Sequence, residues 1–345
     1  MQIISVGLIG FGLSGRSFIA PFLHCHPGFQ LKHIYSSREQ EIKKIYPSVE
    51  VTQNVNSLFQ NSEIDLIIVS SPNSTHYEFA KKALLSNKHV LIEKPFVITT
   101  DEGKELISLA KEKNKVLTAF HNRRWDGDFL TIRKLLNSDK LGNIVEFESH
   151  FDRHRPNLDT ANWHNQPKPG GGVLYDLGPH LIDQALVLFG KPKALFADLR
   201  VAREQGEVDD TFELILFYDK LRVILKSGVL IKELGPRFMV HGTKGSFVKY
   251  GLDPQEALLR EGKLPETAHW GQDKEENYGL LNTSERKRIV TEPGNYMRLF
   301  ENVYNAITQG EALEVTPESA LETIRIIELA FESNHKRQVL DLTQD

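Results

Sequence analysis

Apolar and polar positions repeat in two different ways along the chain, and the change between them falls near residue 121. Before that point, short apolar runs typical of buried parallel strands alternate with segments of helical spacing. The predicted strands are Ile3–Ile9, Phe29–Tyr35, Ile64–Ser70, His89–Glu93 and Val116–Phe120, and the predicted helices are Ser14–Leu23, Glu39–Tyr46, His76–Leu85 and Thr99–Glu112. Strands that alternate with helices predict an α/β fold with a doubly wound sheet.

Beyond residue 121, one helical segment gives way to successive strand-like runs, and helical spacing returns near the end. The predicted strands are Ile144–Phe151, Ala194–Ala202, Thr211–Tyr218, Leu221–Ser227, Arg237–His241 and Ser246–Lys249, and the predicted helices are Asp128–Asn137, Tyr296–Thr308 and Pro317–Arg337. Such strand runs most easily form an antiparallel sheet. We therefore expect two domains, residues 1–120 and 121–345, which also suits the length of 345 residues.

Composition narrows the class of protein. The formal net charge is −4 and the basic residues are scattered, which argues against a nucleic-acid partner. No apolar run approaches the ~20 residues of a membrane span, and the opening residues carry no basic leader, so we expect no membrane partner. Cys25 is the only cysteine, which suits a reducing compartment. The cytoplasm is therefore the expected location.

A glycine-rich turn follows the first predicted strand. It matches the pattern G-x-G-x-x-G, in which glycines let backbone amides approach a pyrophosphate at a helix N-terminus. An ordinary glycine-rich turn is the alternative, but a position directly between a strand and a helix favours nucleotide binding. The expected contacts come from Gly10, Gly12, Leu13, Ser14 and Gly15.

The end of the second predicted strand bears on the choice between NAD and NADP. An acidic residue there accepts hydrogen bonds from the ribose 2′-hydroxyl of NAD. This chain has Ser36, Ser37 and Arg38 instead, and hydroxyl donors beside a guanidinium suit a 2′-phosphate. We therefore expect NADP, with NAD as the alternative cofactor. A solvated helix start with no ligand role is the structural alternative.

A polar loop follows the third predicted strand. Ser71, Pro72, Asn73 and His76 lie in or directly after it. These residues suit a loop that lies along a dinucleotide, and a plain turn with a helix cap is the alternative.

His24, Cys25 and His26 suggest a metal cluster only superficially. Adjacent residues cannot all converge on one ion without a contorted backbone. We expect these residues to be structural and expect no metal site.

Glu93, Lys94 and Pro95 stand at the carboxyl end of an apolar strand, the edge at which open α/β sheets bind ligands. A single lysine is usually a surface residue, but a position between a buried strand and a rigid proline favours function. The Lys94–Pro95 bond is also a candidate for the cis form, which would fix the direction of the ammonium group.

A second candidate site follows the glycines Gly170–Gly172. If a helix runs over Tyr175–Leu188, Asp176 and His180 project from one face, with Asp183 a further turn along. Oxidation of an alcohol needs a base for the hydroxyl proton, and an imidazole with an unperturbed pKa of ~6.5 suits that task at neutral pH. A lysine near the site stabilises the developing alkoxide. A hydrogen-bonded core histidine is the alternative to a catalytic His180.

Taken together, GFGLSG, EKP at Glu93–Pro95 and DLGPHLID at Asp176–Asp183 resemble the Gfo/Idh/MocA oxidoreductases over nearly the whole chain. The resemblance implies an N-terminal Rossmann dinucleotide-binding domain and a C-terminal α/β domain with a large, mainly antiparallel open sheet. It also implies a homodimer or homotetramer that forms through that sheet.

The resemblance further implies roles for individual residues. Lys94 matches the lysine of the family's EKP motif, Asp176 matches its substrate-site aspartate, and His180 matches its acid/base. Asn122 and Arg123 match a segment that crosses between the domains beside the nicotinamide and the substrate. In that segment, Arg124 and Trp125 are expected to pack or to pair. Further candidates for binding sugar hydroxyls, with an ordinary surface loop as the alternative, are Asp152, Arg155, Trp163 and His164.

Within the family, the glycine turn, the SSR strand end and GGGVLYDLGPHLIDQALVLFG look most like the branch with NADP-dependent scyllo-inositol dehydrogenases. We therefore expect a dehydrogenase that interconverts CH–OH and C=O in a small polyol, inositol or sugar. A non-catalytic NADP-binding sensor and an NAD-dependent glycosidase of the same family are the alternatives. Net reduction of added NADP by an alcohol substrate separates all three.

Overall fold

The computed structural model describes residues 2–265 and 269–343 of the chain, and these residues form two compact units. The first contains the described residues of Met1–Asn122, Gln255–Trp270 and Asn295–Glu322. The second contains those of Arg123–Pro254, Gly271–Gly294 and Thr323–Asp345. Two segments from the later part of the chain thus belong to the first unit, in addition to the stretch before the expected boundary at residue 120.

Each predicted strand and helix is found with ends within two residues of the prediction, except Ser14–Leu23, whose first part is a π-helical turn and whose α-helical part is Ala20–Cys25. The strands are β1 Ile4–Ile9, β2 Phe29–Tyr35, β3 Glu50–Thr52, β4 Leu66–Val69, β5 His89–Ile92, β6 Leu117–Ala119, β7 Ile144–His150, β8 Ala194–Arg200, β9 Thr211–Phe217, β10 Arg222–Gly228, β11 Phe238–Gly242, β12 Ser246–Lys249, β13 Gly279–Asn282, β14 Arg286–Ile289 and β15 Leu340–Asp341. The helices are α1 Ala20–Cys25, α2 Glu39–Ile45, α3 Asn56–Gln60, α4 His76–Leu85, α5 Thr100–Glu112, α6 Gly127–Leu136, α7 Val173–Phe189, α8 Gln255–Arg260, α9 Met297–Gln309 and α10 Pro317–Lys336. Across the described ranges, no helix is both long enough and apolar enough to cross a membrane.

Within the described part of the first unit, six strands form a parallel sheet in the order β3-β2-β1-β4-β5-β6. β1 and β4 are buried at every position, as strands covered on both faces by helices are. The direction of strand succession reverses at β1, which pairs with β2 on one side and with β4 on the other. Open α/β sheets bind ligands at the carboxyl ends of the strands beside such a reversal.

The helix after β1 departs from regular α geometry. Residues 13–25 are helical, but Gly15–Ile19 is a π-helical turn. Pro21 follows at the start of α1. Because proline has no N–H and its ring crowds the carbonyl four residues earlier in a regular α-helix, the wider π turn gives the ring room.

Helix α9 joins the first unit through aromatic packing. The Phe300 ring stacks on Phe22 with the ring centroids 5.2 Å apart, and it meets Phe120 edge-on. Tyr304 donates a hydrogen bond to the Gln2 carbonyl at 2.8 Å. These partners lie far apart in the sequence, so no local pattern indicates that they pack together.

Among the described residues of the second unit, nine strands form a sheet in the order β14-β13-β12-β11-β7-β10-β9-β8-β15. Neighbouring strands run antiparallel, apart from the parallel pair β7 and β10. Buried and half-exposed positions alternate along β9, because one face of the sheet packs on the core. Helix α7 packs against β9 and β10. The mainly antiparallel open sheet is therefore confirmed.

The elements that the sequence pattern misses are short or charged. β3 has three residues and α3 has five, too few for either hydrophobic period to show. β14 is the edge strand of its sheet and reads Arg-Lys-Arg-Ile. Charged side chains keep such an edge from pairing with further strands, and they also remove the apolar alternation by which strands are recognised.

Candidate active site

The glycine-rich turn follows β1 in the first unit and is packed tightly against neighbouring backbone. Gly10 has a φ of +98°, and a Cβ there would stand 2.4 Å from the Ser70 carbonyl oxygen. A Cβ on Gly15 would stand 2.4 Å from the Gly10 carbonyl oxygen. The Gly10 amide donates a hydrogen bond to the Tyr35 carbonyl at 3.0 Å. Backbone contacts within the protein therefore require both glycines.

Gly12 differs from these two glycines. Beyond its sequence neighbours, no atom of the described chain lies within 4 Å of the position that its Cβ would take. Its carbonyl accepts the Arg16 amide at 3.0 Å, which begins the helix, and the neighbouring Leu13 side chain is 42% exposed. A backbone left open at the N-terminus of a helix fits the pyrophosphate of a dinucleotide.

The end of β2 presents the residues that are expected to select NADP. The Ser36 hydroxyl accepts a hydrogen bond from the Arg38 amide at 3.1 Å, and Ser37 is exposed. The Arg38 guanidinium is half exposed and lies 3.6 Å from the Glu41 carboxylate. Glu41 also pairs with Arg16 at 2.9 Å. This carboxylate therefore competes with any phosphate group for both guanidinium groups.

The loop after β4 is held by its own hydrogen bonds. The Ser71 and Thr75 hydroxyl oxygens lie 2.6 Å apart, and the Thr75 hydroxyl donates to the Pro72 carbonyl at 2.7 Å. Asn73 is buried and begins a 3-10 turn that leads into α4. The Ser71 amide nitrogen lies 3.1 Å from the Cβ position of Gly10. The loop therefore borders the glycine turn.

His76 connects this loop to the one after β5. Its Nδ1 lies 2.8 Å from the Pro95 carbonyl oxygen, and its Nε2 lies 2.9 Å from the Ser71 carbonyl oxygen. Burial lowers the pKa of His76, and the charge of Lys94 lowers it further. The two carbonyl contacts raise the pKa but do not offset the effect of burial. His76 therefore connects the two loops and stabilises them.

Glu93, Lys94 and Pro95 follow β5 at the same edge of the sheet. The Ser14 hydroxyl donates a 2.6 Å hydrogen bond to Glu93 Oε1, so the glycine turn and the EKP motif are in contact. Glu93 is buried, Lys94 is partly exposed, and the Lys94–Pro95 peptide bond is cis. The residues expected to bind the cofactor in the first unit thus follow the carboxyl ends of β1, β2, β4 and β5.

His24 and His26 are engaged in packing. His26 Nδ1 accepts the Gly28 amide at 3.0 Å, and burial lowers the pKa of its imidazole. The His24 ring lies edge-on to the Tyr46 ring. Over residues 2–265 and 269–343, no group of three or more His, Cys, Asp or Glu side chains is arranged to hold a metal ion.

In the second unit, α7 carries both residues that are expected to act on the substrate. The predicted helix is confirmed, and it places Asp176 and His180 one turn apart on the same face. His180 is 7% exposed, and the Asp176 carboxylate lies 3.6 Å from the Arg153 guanidinium. An imidazole held largely out of bulk water, one turn from a carboxylate, is able to exchange a proton with a bound hydroxyl group.

Asp183, one turn farther along α7, belongs to a structural ion pair. Arg124 donates two hydrogen bonds to its carboxylate, at 2.9 and 2.6 Å. Both side chains are buried. The expectation that Arg124 pairs is confirmed, and the pair connects α7 to the turn at residues 122–125.

A 3-10 turn that begins at Asn122 and ends at Trp125 contains the residues expected beside the nicotinamide. Asn122 is the last residue of this stretch in the first unit, and Arg123 is the first residue of the second. The Arg123 guanidinium lies 3.2 Å from the Asp126 carboxylate and 4.8 Å from the centroid of the Phe151 ring. Trp125 is 2% exposed, so it packs as expected.

The loop expected to bind sugar hydroxyls contains a 3-10 turn that begins at Trp163. The rings of Trp163 and His164 are stacked, with their centroids 3.6 Å apart. Arg155 is exposed, whereas Asp152 Oδ1 accepts the Gly228 amide at 2.9 Å. Asp152 therefore stabilises the end of β10, and Arg155 is the most accessible of the four candidates.

Asp209 is a residue of this region that the sequence analysis misses. Its carboxylate accepts the Leu174 amide at 2.7 Å, at the start of α7. In the sequence it is one of two adjacent aspartates directly before a predicted strand. That pattern is too common to indicate a partner, so only the structure identifies the contact.

Comparison with models of protein families finds matches in both units. Residues 4–121 match the model described as an oxidoreductase family, NAD-binding Rossmann fold. Residues 133–342 match the model of the C-terminal alpha/beta domain of an oxidoreductase family.

Curated relatives and solved structures are similar over almost the whole chain. The Bacillus subtilis (strain 168) scyllo-inositol 2-dehydrogenase (NADP(+)) IolW is 41% identical over 98% of this chain and 96% of its own. The Escherichia coli (strain K12) uncharacterized oxidoreductase YdgJ is 42% identical over 98% of this chain and 99% of its own. The structure of the Bacillus subtilis oxidoreductase yvaA has a TM-score of 0.96 at 40% identity, with 99% of each chain covered.

Proposed function

The chain belongs to the Gfo/Idh/MocA family of oxidoreductases, and we propose that it moves a hydride between NADP(H) and a small polyol, inositol or sugar. The observation that carries the proposal is the likeness over nearly the full chain to a scyllo-inositol 2-dehydrogenase (NADP(+)). The geometry of each unit supports it. The first has a glycine turn that is open at Gly12, and the second has a helix that carries Asp176 and His180.

In this proposal, the protein's own side chains manage the proton and the charge of the reacting alcohol. NADP, when bound, supplies the acceptor for the hydride that leaves the substrate carbon. His180 removes the hydroxyl proton as the hydride departs and returns it in the reverse direction. The Lys94 ammonium group stabilises the negative charge that develops on the same oxygen. Asp176 accepts a hydrogen bond from the substrate and so orients it for His180.

The preference for NADP over NAD rests on the end of β2. Ser36, Ser37 and Arg38 offer hydrogen-bond donors where an acid would favour NAD. Glu41 lies against Arg38, so we expect Arg38 to leave Glu41 when a 2′-phosphate binds. NAD is the alternative cofactor, and a higher kcat/KM with NAD than with NADP would overturn this part of the proposal.

Substrate recognition is assigned to side chains of the second unit together with Lys94. Arg123 and Arg155 supply guanidinium donors for sugar hydroxyls. The aromatic surface of Trp163 suits the apolar face of a sugar ring, because ligand sites combine apolar walls with a few polar groups.

A homodimer or homotetramer through the sheet of the second unit is also part of the proposal. The outer face of that sheet carries half-exposed apolar residues, including the cross-strand pairs Ile215 with Ile224 and Met239 with Val248. Apolar positions grouped on one surface are typical of contact surfaces. Light scattering on the purified chain tests this, and a monomer at micromolar concentration contradicts it. The reducing cytoplasm is the proposed location, because it suits a chain with one cysteine.

The test of the proposal is a panel of inositols, other polyols and sugars with added NADP or NAD, scored by the absorbance of the reduced nicotinamide. We expect reduction of NADP with at least one inositol or sugar alcohol. A sensor protein binds NADP without reducing it, and a glycosidase releases sugar without net reduction. Calorimetric titration with NADP, done in parallel, distinguishes absence of turnover from absence of cofactor binding.

A further inference from the structure

A carboxylate from outside α7 holds the first turn of that helix. Asp209 lies between β8 and β9. Its Oδ2 accepts the Leu174 amide at 2.7 Å, and its backbone carbonyl accepts the Val173 amide at 2.8 Å. The first amides of a helix have no partner within the helix, and the residue at the N-cap, Gly172, has no side chain to cap them. Asp209 therefore supplies these hydrogen bonds from a distant segment.

Gly172 makes this contact sterically possible. It has a φ of +91°, and a Cβ there would stand 2.1 Å from Asp209 Oδ1 and 2.7 Å from Asp209 Cγ. The Gly172 carbonyl in turn accepts the Asp176 amide at 3.1 Å. The last glycine of the GGG motif is thus explained by close packing against Asp209. Asp176 lies one helical turn after Gly172, and His180 lies one turn after Asp176.

The neighbouring Asp210 holds the adjacent loop. It is buried, and its Oδ2 accepts hydrogen bonds from the amide and the Nε of Arg203, each at 3.0 Å. Arg203 Nη2 donates to Asn165 Oδ1 at 3.0 Å, and the His164 carbonyl accepts the Gly172 amide at 2.9 Å. Two consecutive aspartates directly before β9 thus hold both the start of α7 and the loop that precedes it.

The chemistry of Asp209 suits this position in both protonation states. The positive end of the helix dipole favours a carboxylate. Burial nevertheless raises the pKa of the Asp209 carboxyl to about 6; the Leu174 amide opposes the rise, and the nearby Asp210 adds to it. A protonated carboxyl keeps one oxygen that accepts a hydrogen bond, so the contact with Leu174 does not depend on the charge.

We propose that Asp209 is a positioning residue for the reaction, which fixes the first turn of α7 and thereby the placement of Asp176 and His180. Asp209 acts through the helix and not on the substrate. The inference rests on the proposed function only for the roles of Asp176 and His180, because the contact itself is independent of any activity.

The first test compares two substitutions at Asp209. Asp209→Ala removes the accepting oxygen and should lower kcat by ~10- to 100-fold, because small displacements of catalytic groups have effects of that size. The KM for NADP should stay within about two-fold of the wild-type value. Asp209→Asn keeps an accepting oxygen and should restore kcat to within about three-fold of wild type. A merely structural role would lower the unfolding temperature of D209A but leave kcat per folded molecule unchanged, and that result overturns the inference.

A second test reaches the same contact from the helix side and does not require D209A to fold. In Gly172→Ala, the new methyl group meets the Asp209 carboxylate. Gly190→Ala is the matched control, because Gly190 ends α7 with a φ of +73° and has no described atom within 4 Å of its Cβ position. Both variants carry the strain of a positive φ, so we expect kcat of G172A to be at least ~10-fold below that of G190A. Equal kcat values contradict the inference.

Amide hydrogen exchange gives a readout that does not depend on turnover. In D209A, the Leu174 amide loses its acceptor and should exchange faster than in wild type, and the amides of Val173 and Asp176 should also exchange faster because the first turn of α7 is no longer fixed. Unchanged exchange at these amides contradicts the inference whatever the activity. If these amides exchange faster but the wild-type chain reduces no cofactor with any substrate, the proposed function fails and the contact is still established.

Discussion

The nucleotide edge of the first unit and the start of α7 in the second are held in place by different kinds of contact. At the nucleotide edge, hydrogen bonds join loops that follow different strands of one parallel sheet, such as Ser14 to Glu93 and His76 to Pro95. At α7, the first turn is held by Asp209, a residue that belongs to none of the motifs that the sequence displays. The first region is built from motifs that the sequence displays, and the second depends on a partner that no spacing rule connects.

This difference predicts which kinetic parameter each region controls. Apart from Lys94, which is proposed to act on the substrate oxygen, substitutions at the nucleotide edge should change the affinity for the cofactor, because its loops surround the carboxyl ends of the strands where a dinucleotide binds. Substitutions at α7 should change kcat, because that helix carries the proposed acid/base. This division is contradicted if a substitution at the nucleotide edge changes kcat instead of cofactor affinity, or if one at α7 changes cofactor affinity instead of kcat.

The largest effect is expected at His180. His180→Ala should lower kcat by roughly 10²–10⁴ and leave NADP affinity nearly intact, because it removes the base but no group of the glycine turn. Steady-state assays give kcat, and calorimetry gives the Kd for NADP. Lys94→Ala is the comparison from the first unit, and it should lower turnover more than stability. Activity equal to wild type in H180A would remove the base assignment.

The next effect distinguishes two glycines of the same turn. Gly12→Ala should raise the KM for NADP by ~10- to 100-fold with an unchanged unfolding temperature, because its methyl group meets only the ligand. Gly10→Ala should lower the unfolding temperature, because its methyl group would meet the Ser70 carbonyl. Scanning fluorimetry and kinetics on both variants test this. A destabilised G12A would show that Gly12 is structural.

A smaller effect is expected at Arg38. Arg38→Ala should raise the KM for NADP by about ten-fold with little change in kcat, because a charge-assisted contact to the 2′-phosphate is lost. Glu41→Gln should lower the KM for NADP by a few-fold, because a competing carboxylate beside Arg38 becomes neutral. The KM for NAD, which has no 2′-phosphate, is the control. If R38A changes both KM values equally, Arg38 does not select the cofactor.

The smallest effect concerns the dependence of stability on pH. One group in each unit contributes to it, and the two contributions change with pH in opposite directions. In the first unit, burial and, to a smaller extent, the charge of Lys115 lower the pKa of His89 to about 4, against the opposing charge of Asp65. The folded-state pKa lies below that of the unfolded chain, so His89 contributes stability that is present above pH ~6.5 and is lost as the pH falls toward 4. In the second unit, the raised pKa of Asp209 contributes stability that is present below its unfolded value and is lost as the pH rises through about 6.

Thermal unfolding at pH 7 and pH 5 tests the first of these effects. His89→Gln should reduce the loss of stability between these pH values by about 1 kcal/mol, a figure that allows for partial solvation of the ring. Asp209→Asn is the comparison from the second unit, because the contribution of Asp209 to stability changes with pH in the opposite direction. An identical pH dependence in wild type and H89Q would contradict the assignment to His89.

The sequence predicts the fold well where a hydrophobic period extends over several turns or strands. β9 and α7 both show their periods clearly and β1 is a continuous apolar run, whereas β3 and α3 are too short and β14 too charged to show a period. The assignment of α9 to the first unit depends on aromatic packing between Phe300 and Phe22. Such packing is a tertiary property that no local pattern contains.

The candidate site divides in the same way. Gly10 and Gly12 are predictable because both belong to one local turn with a recognisable sequence pattern. The partners of charged groups are not predictable, because which carboxylate meets which donor depends on tertiary packing. Glu41 beside Arg38, Arg124 on Asp183 and the cap from Asp209 are contacts of this kind.

The decisive experiment counts the NADPH molecules formed per protein chain when NADP and an active inositol or sugar alcohol are both in excess. We expect many NADPH per chain in wild type and a rate lower by roughly 10²–10⁴ in H180A. A yield that stops at or below one NADPH per chain, or binding of NADP with no reduction by any alcohol of the panel, would contradict net hydride transfer as the function of this protein.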